Sequence, residues 1–193
     1  MPQAETEQWE RFATTMDRGL SGYLLRPLYQ RIFELADPRA GERMLDVGAG
    51  TGNVVAEAAA RGILATGMDS SPAMAAVAHT KVPGRFLLGD AERLPFTDAA
   101  FDVVTTSLSL HHWSSPEDGF REIARVLRPG GRALLADVEG RGLVQRLANA
   151  IRRHGGRYLL RHEYEATLCA AGLTQVRQEV LKRRWILTLA ERP

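Results

Sequence analysis

The residues with the clearest chemical meaning form one short stretch, MLDVGAGTGN at residues 44–53. An apolar strand there runs into a glycine-rich turn that opens a helix, and glycines without a Cβ let a ligand approach the backbone. The glycines follow the spacing G-x-G-x-G, whereas the dinucleotide fingerprint G-x-G-x-x-G needs a third small residue where this chain has Asn53. The turn therefore predicts a ligand site that suits NAD poorly.

Asp46, near the end of that first strand, indicates the charge of the ligand. A dinucleotide would place its pyrophosphate there, so two negative charges would meet. S-adenosylmethionine has no phosphate and carries a sulfonium and an ammonium, and an attractive pair at ~4 Å is worth a few kcal/mol at intermediate dielectric. Asp46 therefore favours S-adenosylmethionine as the cofactor. The alternative is that Asp46 only caps the following turn.

Two further carboxylates end the next two predicted strands. Asp69 stands where an acidic residue after a glycine-rich loop accepts hydrogen bonds from both ribose hydroxyls, or else it only caps the helix that begins at Pro72. Asp90 and the backbone amide of Ala91 offer the acceptor and the donor that an adenine needs. Because open α/β sheets bind ligands at the carboxyl ends of their strands, Asp46, Asp69 and Asp90 predict one binding edge.

Short β-rich runs alternate with helix-like segments along the chain. This alternation predicts an α/β, Rossmann-like fold with a mostly parallel seven-stranded sheet, helices on both faces and an antiparallel last strand. Ser71 followed by Pro72 marks one helix start. The predicted strands are Met44–Val47, Ile63–Asp69, Arg85–Asp90, Phe101–Ser107, Arg132–Val138, Thr174–Leu181 and Trp185–Glu191; the predicted helices are Gly52–Arg61, Pro72–His79 and Pro116–Leu127.

The length of 193 residues fits one domain. Within it we expect an N-terminal helical segment (residues 1–40), a cofactor-binding core (41–138), a segment that covers the acceptor (139–173) and a C-terminal strand pair (174–193). The net charge of +2 gives no strong pull toward nucleic acid or membrane, although the part from Arg141 onward holds 11 basic and 4 acidic residues.

The single cysteine, Cys169, excludes an intramolecular disulfide and lacks the neighbours that a zinc site needs, so we expect no metal. We expect Cys169 to be a small buried group on a helix. The N-terminus shows no signal-like pattern and no apolar run reaches transmembrane length, which predicts a cytoplasmic protein without stable membrane insertion.

Four segments in this order resemble the S-adenosylmethionine-dependent methyltransferases of the ubiquinone/menaquinone-biosynthesis type, a small-molecule branch of class I. They are LDVGAGTGN, GMDSS, GDAERLPF, and FDVV followed by HHW and REIARVLRPGG, and the resemblance covers residues 25–138. It implies that the loop glycines line the methionine part of the cofactor, that Asp69 binds the ribose, and that Asp90 with Ala91 binds the adenine.

The same resemblance implies that Ser107 and Leu108 approach the methionine tail. Met74 matches an apolar residue that flanks the adenine, and helical core packing is an equal alternative for it. Tyr23 belongs to an N-terminal apolar stripe that either folds over the cofactor or packs in the core. The predicted cofactor-binding residues are Tyr23, Asp46, Gly48, Ala49, Gly50, Thr51, Gly52, Asp69, Ser70, Met74, Asp90, Ala91, Ser107 and Leu108.

The chemistry implied by this cofactor is in-line displacement of a methyl group from a sulfonium by an O, N, C or S nucleophile, with S-adenosylhomocysteine as the product. Orientation and proximity can supply ~7–11 kcal/mol of such a barrier. If the acceptor must lose a proton, His111 or His112 is the first candidate for a general base. The alternative is that these histidines only pack and hydrogen-bond beside Trp113.

The acceptor is a small organic molecule in the leading hypothesis. RNA or a lipophilic, membrane-associated acceptor is the second, and cofactor binding without turnover is the third. Few aromatic residues accompany the arginines of the basic part, so nucleic acid is an unlikely partner. The segment Arg141–Arg161, with an apolar stripe at Leu143, Leu147 and Ile151, is expected to form a lid on the acceptor side.

Overall fold

Seven strands among the described residues hydrogen-bond into one sheet. The computed structural model describes residues 20–138, 159–182 and 185–193, with side chains from residue 24 onward. In chain order the strands are β1 (Arg43–Val47), β2 (Leu64–Asp69), β3 (Phe86–Leu88), β4 (Phe101–Ser107), β5 (Leu127–Val138), β6 (Thr174–Leu181) and β7 (Trp185–Glu191).

The strand order across the sheet is β3-β2-β1-β4-β5-β7-β6. The pairs among β1 to β5 are parallel, whereas β7 is antiparallel to both β5 and β6. The order changes direction between β1 and β4, and such a switch point opens a crevice at the carboxyl ends of the strands. The predicted fold class is confirmed, including the antiparallel last strand.

Helices cover both faces of this sheet. Ser71 caps one of them as predicted, because its Oγ accepts the backbone N–H of Met74 and Pro72 follows at the first helical position. Ser115 caps another by accepting the N–H of Asp118. The helices of the described part are α1 (Leu20–Ala36), α2 (Asn53–Ala60), α3 (Pro72–Lys81), α4 (Pro116–Val126) and α5 (Arg161–Ala170), with a 3-10 turn at Leu110–His112.

The apolar core lies in two layers, one on each side of the sheet. Successive residues of a strand point to opposite faces, so Met44 of β1 packs with α1, α2 and α3 while Leu45 packs with α4 and α5. Phe120 and Tyr164 stack across the second layer, with ring centroids 6.3 Å apart. Because both faces are covered, most residues of the central strands are apolar, and the ends of the strands are available for a ligand.

Helix α1 is fixed to the far end of the sheet by an ion pair. Arg31 donates to both carboxylate oxygens of Glu179 in β6, with Nε to Oε1 at 2.9 Å and Nη2 to Oε2 at 2.5 Å. Leu28 and Ile32 of the same helix are fully buried against the sheet. These contacts hold the middle of α1 against the core, which places Tyr29 next to the turn after β1.

Four predicted strands differ from those observed, β1 and β2 by one residue at their start and the third and fifth strands by more. The third strand is Phe86–Leu88 rather than Arg85–Asp90, because β3 is an edge strand that pairs only with residues 67–69 of β2. The fifth strand begins at Leu127 rather than Arg132, because Leu127 already pairs with Phe101 across an irregularity in the register.

The structure adds a helix that the sequence pattern did not predict. Helix α5 follows Leu159 and packs Tyr164 and Leu168 into the core, where all three residues are buried. The expectation that Cys169 is buried was wrong, because it lies on the exposed side of this helix. Most of the proposed lid, including the stripe at Leu143–Ile151, and the side chain of Tyr23 lie outside the described residues.

Candidate functional site

The glycine-rich turn between β1 and α2 needs its glycines for two different reasons. Gly48 has φ +68°, and a Cβ on it would lie 1.9 Å from Oγ of Ser109. Gly50 has φ +54°, and a Cβ there would meet nothing within 4 Å. Gly48 is therefore required for packing against the loop after β4, whereas Gly50 borders open space that a ligand can enter.

Asp69, the last residue of β2, connects this turn to helix α3. Its Oδ2 accepts the backbone N–H of Gly50 at 2.8 Å, and its Oδ1 accepts that of Ser71 at 2.9 Å. Burial raises the pKa of Asp69, and the backbone hydrogen bonds oppose that rise. Each carboxylate oxygen can accept more than one hydrogen bond. The capping contact is thus present and leaves acceptor capacity for a ribose hydroxyl.

Asp46 is a buried carboxylate with an unsatisfied oxygen. Its Oδ1 accepts the hydroxyl of Thr105 in β4 at 2.7 Å, while Oδ2 has no hydrogen-bond partner among the described residues. Burial, with a smaller contribution from the charge of Asp69, raises the pKa of Asp46 to about 7, against a lowering by the Thr105 hydrogen bond. A buried carboxylate oxygen without a donor is costly, so this position is suited to a cationic or hydrogen-bonding ligand group.

Polar side chains also surround the start of α2. Lys81 donates from Nζ to Oδ1 of Asn53 at 2.7 Å and to Oγ1 of Thr51 at 3.3 Å. Tyr29 hydrogen-bonds to Asn53, and burial raises the pKa of its hydroxyl. Sequence reasoning did not identify Lys81, because its partners lie 28 and 30 residues earlier in the chain.

The predicted adenine-binding residues lie after β3. Asp90 is exposed and its Oδ1 accepts the backbone N–H of Glu92 at 3.0 Å, so it shapes the turn that also contains Ala91. The preceding Gly89 donates its N–H to the carbonyl of Asp69, which joins the ends of β2 and β3. Met74 of α3 is 5% exposed, a burial that agrees with packing.

The end of β4 contains a strained residue. Leu108 has φ +54°, a conformation that costs a side-chain-bearing residue about 1–2 kcal/mol. Its N–H donates to the carbonyl of Ala136 in β5, which holds it in place. The next residue, Ser109, accepts the indole N–H of Trp113 at 3.0 Å. Ser107 and Leu108 thus stand at the switch point between β1 and β4, beside the glycine turn.

His111 is bound to a carboxylate that sequence reasoning missed. Asp137 near the end of β5 is 2% exposed, and its Oδ1 lies 2.7 Å from Nδ1 of His111. The other oxygen, Oδ2, accepts the backbone N–H of His111 at 3.0 Å. His112 is exposed, and its ring centroid lies 4.1 Å from that of His111. The available signal was an acidic residue near the end of a predicted strand, the same signal that identified Asp46 and Asp69.

Three other features of the described residues bear on function. The described residues include no group of three or more His, Cys, Asp or Glu side chains placed to hold a metal ion. None of their helices combines the length and the apolar character that crossing a bilayer requires. An open cavity of about 360 Å³ lies near the opposite end of the sheet, but Arg125, which lines it, is already bound to Glu122 and Asp98.

The sequence and the fold match known proteins over the region that forms this site. Residues 45–135 match the family described as "Methyltransferase domain". The chain is 44% identical over 100 residues to a demethylmenaquinone methyltransferase of Beutenbergia cavernae, covering 51% of this chain and 42% of that protein. It is 35% identical over 130 residues to methyltransferase GfsG of Streptomyces halstedii, covering 63% of this chain and 47% of that protein.

A solved structure extends the likeness to the whole fold. It is a complex between the Trm112 methyltransferase activator of Haloferax volcanii and its partner, with a TM-score of 0.83, 22% sequence identity, and coverage of 96% of this chain and 97% of the matched chain. At that identity the likeness shows the fold alone. The chain spans less than half the length of these two curated relatives.

The strand order is that of Rossmann-like methyltransferase folds, and residues 45–135 match the methyltransferase domain family. The same part of the chain is similar to demethylmenaquinone methyltransferases.

Proposed function

We propose that this protein transfers a methyl group from S-adenosylmethionine to a small organic acceptor. The observation that carries the proposal is the buried Oδ2 of Asp46 beside the glycine turn, which has no hydrogen-bond partner in the described part of the chain. The ammonium of the methionine part would supply the missing donor, and its charge would offset the cost of an ionised Asp46. When bound, the donor supplies a methyl group activated by its sulfonium sulfur.

The chain's own residues suit the other parts of this molecule. Gly50 borders open space at the turn, so a ligand can approach the protein backbone there. Asp69 keeps acceptor capacity for the ribose, and Asp90 with Ala91 lies one strand further for the adenine. This arrangement would spread the adenosine over the ends of β2 and β3 and the methionine over β1 and β4.

We place the acceptor at the next carboxyl ends in the strand order, where β4 meets β5. His111 and Asp137 lie there, beyond the proposed methionine position. The segment Arg141–Arg161 directly follows β5 in the chain, which supports the proposal that it covers the acceptor.

A small acceptor is supported by the relatives and by charge. Two of the relatives are demethylmenaquinone methyltransferases, which are named for a small-molecule substrate. The net charge of +2 gives little attraction for a polyanion such as RNA. The quinone itself is not proposed as the acceptor, because the chain covers less than half the length of those relatives.

A labelling experiment tests the reaction and separates the alternatives. The protein is incubated with S-adenosylmethionine carrying a labelled methyl group and, separately, with the small-molecule fraction, the total RNA and the lipid extract of the source cells. We expect label in the small-molecule fraction, and much less label there with Asp69→Ala at the same concentration of S-adenosylmethionine. Label in RNA or lipid would favour those acceptors, and label in no fraction would contradict turnover.

A further inference from the structure

We infer that Glu92 is a positioning residue, which makes the shape of the turn at residues 110–115 depend on adenosine bound after β3. The inference rests on the proposed methyl transfer, because this turn follows β4 on the side where the acceptor is placed. It starts from one carboxylate oxygen that joins two loops. Oε1 of Glu92 accepts the backbone N–H of Ser114 at 2.6 Å and that of Ser115 at 2.9 Å.

Glu92 belongs to the same loop as the residues proposed to bind the adenine. Its backbone N–H donates to Oδ1 of Asp90 at 3.0 Å, and the N–H of Arg93 donates to the carbonyl of Asp90 at 3.1 Å. These two hydrogen bonds fold residues 90–93 into a tight turn. An adenine that donates its amino group to Asp90 would therefore also restrict the backbone that carries Glu92.

The start of helix α4 depends on Glu92 for a contact that many helices make within themselves. Ser115 is the capping residue of α4, and in a capping box its backbone N–H is accepted by the side chain of the third helical residue. In α4 that residue is Asp118, and its carboxylate instead binds Nη2 of Arg121 at 2.7 Å. Glu92 accepts the N–H of Ser115 from the loop after β3, so a residue of the cofactor site holds the start of α4.

Trp113 connects the same turn to its other supports. Its indole N–H donates to Oγ of Ser109 at 3.0 Å, and a Cβ on Gly48 would lie 1.9 Å from that oxygen. Its ring is 6% exposed and lies against Gly119 of α4, where a Cβ would lie 2.3 Å from Cζ3 of the indole. A movement of the turn or of the start of α4 would therefore change the surroundings of the Trp113 ring.

These contacts predict that the acceptor binds after the cofactor. An adenine restricts the loop after β3, Glu92 then restricts the start of α4, and the turn presents one shape to the acceptor. A ligand shifts such an equilibrium only if it binds the two shapes with different affinity. The connection from Asp90 through Glu92 supplies that difference without any contact between the adenine and the turn.

Fluorine NMR of protein labelled with fluorotryptophan tests this coupling. The chain has three tryptophans, so Trp9→Phe and Trp185→Phe assign the Trp113 signal by elimination. The probe is methylthioadenosine, which has the adenosine and the sulfur of the cofactor but not its amino-acid part. We expect the saturating probe to shift the Trp113 signal of the wild type. Glu92→Ala should lose at least half of this shift, while calorimetry shows that it still binds the probe.

Two further variants separate positioning from helix capping. Glu92→Gln keeps an oxygen that can accept both N–H groups, so it should retain most of the shift. Ser115→Ala removes the cap that accepts the N–H of Asp118 at 3.2 Å, so it should lower the Tm about as much as Glu92→Ala does and yet keep the shift.

The outcomes distinguish this inference from the proposed function. If the bound probe causes no shift in the wild type, if the shift is equal in Glu92→Ala, or if it is lost in Ser115→Ala, Glu92 does not couple the adenine site to the turn. A wild type that binds neither methylthioadenosine nor S-adenosylhomocysteine would instead overturn the proposed methyl transfer.

Discussion

The carboxylate of Asp69 accepts the backbone N–H of Gly50 at 2.8 Å across 19 residues of chain. The last residue of β2 therefore sets the shape of the turn that follows β1. Because the other oxygen of Asp69 accepts the N–H of Ser71, the turn and the start of α3 are held by one side chain. The carboxylate that is proposed to bind the ribose therefore also fixes the turn and the start of α3.

Replacing Asp69 by Ala should weaken the binding of S-adenosylhomocysteine by roughly 1.5–3 kcal/mol, the usual worth of hydrogen bonds to a charged group. Titration calorimetry measures the change. Asp98→Ala removes an exposed carboxylate that precedes β4, at the opposite end of the strands, and should leave the affinity unchanged. Equal affinities of wild type and Asp69→Ala would mean that Asp69 only shapes the turn.

Gly50→Ala and Gly84→Ala form a matched pair for the glycine turn. Both glycines have positive φ, +54° and +73°, and both would direct a Cβ into open space. The two substitutions should therefore lower the free energy of unfolding by a similar ~1–2 kcal/mol. Gly50→Ala alone should lose affinity for S-adenosylhomocysteine, because its Cβ would occupy the ligand's position. Comparable affinities in the two variants would contradict a cofactor cradle at Gly50.

Asp46 should make stability depend on pH in an unusual direction. Its pKa is raised from 3.8 to about 7 in the folded protein, so the folded state binds the proton more tightly than the unfolded state does. Stability from this group is therefore full below about pH 4 and is lost as the pH rises to about 7, by on the order of a few kcal/mol. Denaturant unfolding of Asp46→Asn should lack this decline.

The same carboxylate should make cofactor affinity depend on pH with the opposite sign. Ionised Asp46 attracts an ammonium, so the affinity of the wild type for S-adenosylhomocysteine should rise as the pH increases through about 7. In Asp46→Asn the affinity should be lower at pH 8 and nearly constant across this range. If the affinity of the wild type for S-adenosylhomocysteine does not change between pH 6 and pH 8, Asp46 does not bind the ammonium group.

The parts of the fold that were predicted correctly are those with local signals. The strands at Phe101–Ser107, Thr174–Leu181 and Trp185–Glu191 have the bounds that the sequence predicted. The cap at Ser71 was predicted because a serine and a proline mark a helix start regardless of the rest of the chain. The glycine turn was readable because its backbone conformation itself demands glycine.

The parts that were missed depend on tertiary contacts. Helix α5 has a narrow apolar face, with Tyr164 and Leu168 as its buried residues, so its periodicity gave little signal. His111 and Asp137 are 26 residues apart, and only the pairing of β4 with β5 brings them together. Sequence spacing identified which residue types end each strand, but the side-chain partner of each is set by the strand order.

Thermal unfolding in the presence of S-adenosylhomocysteine and of NAD measures the central claim directly. A ligand that binds only the folded state at about 100 times its dissociation constant stabilises it by ~2.7 kcal/mol. For a chain of this size that corresponds to an increase in Tm of roughly 5–11 °C. The account predicts such an increase with S-adenosylhomocysteine and little change with NAD. A clear increase with NAD and none with S-adenosylhomocysteine would contradict it.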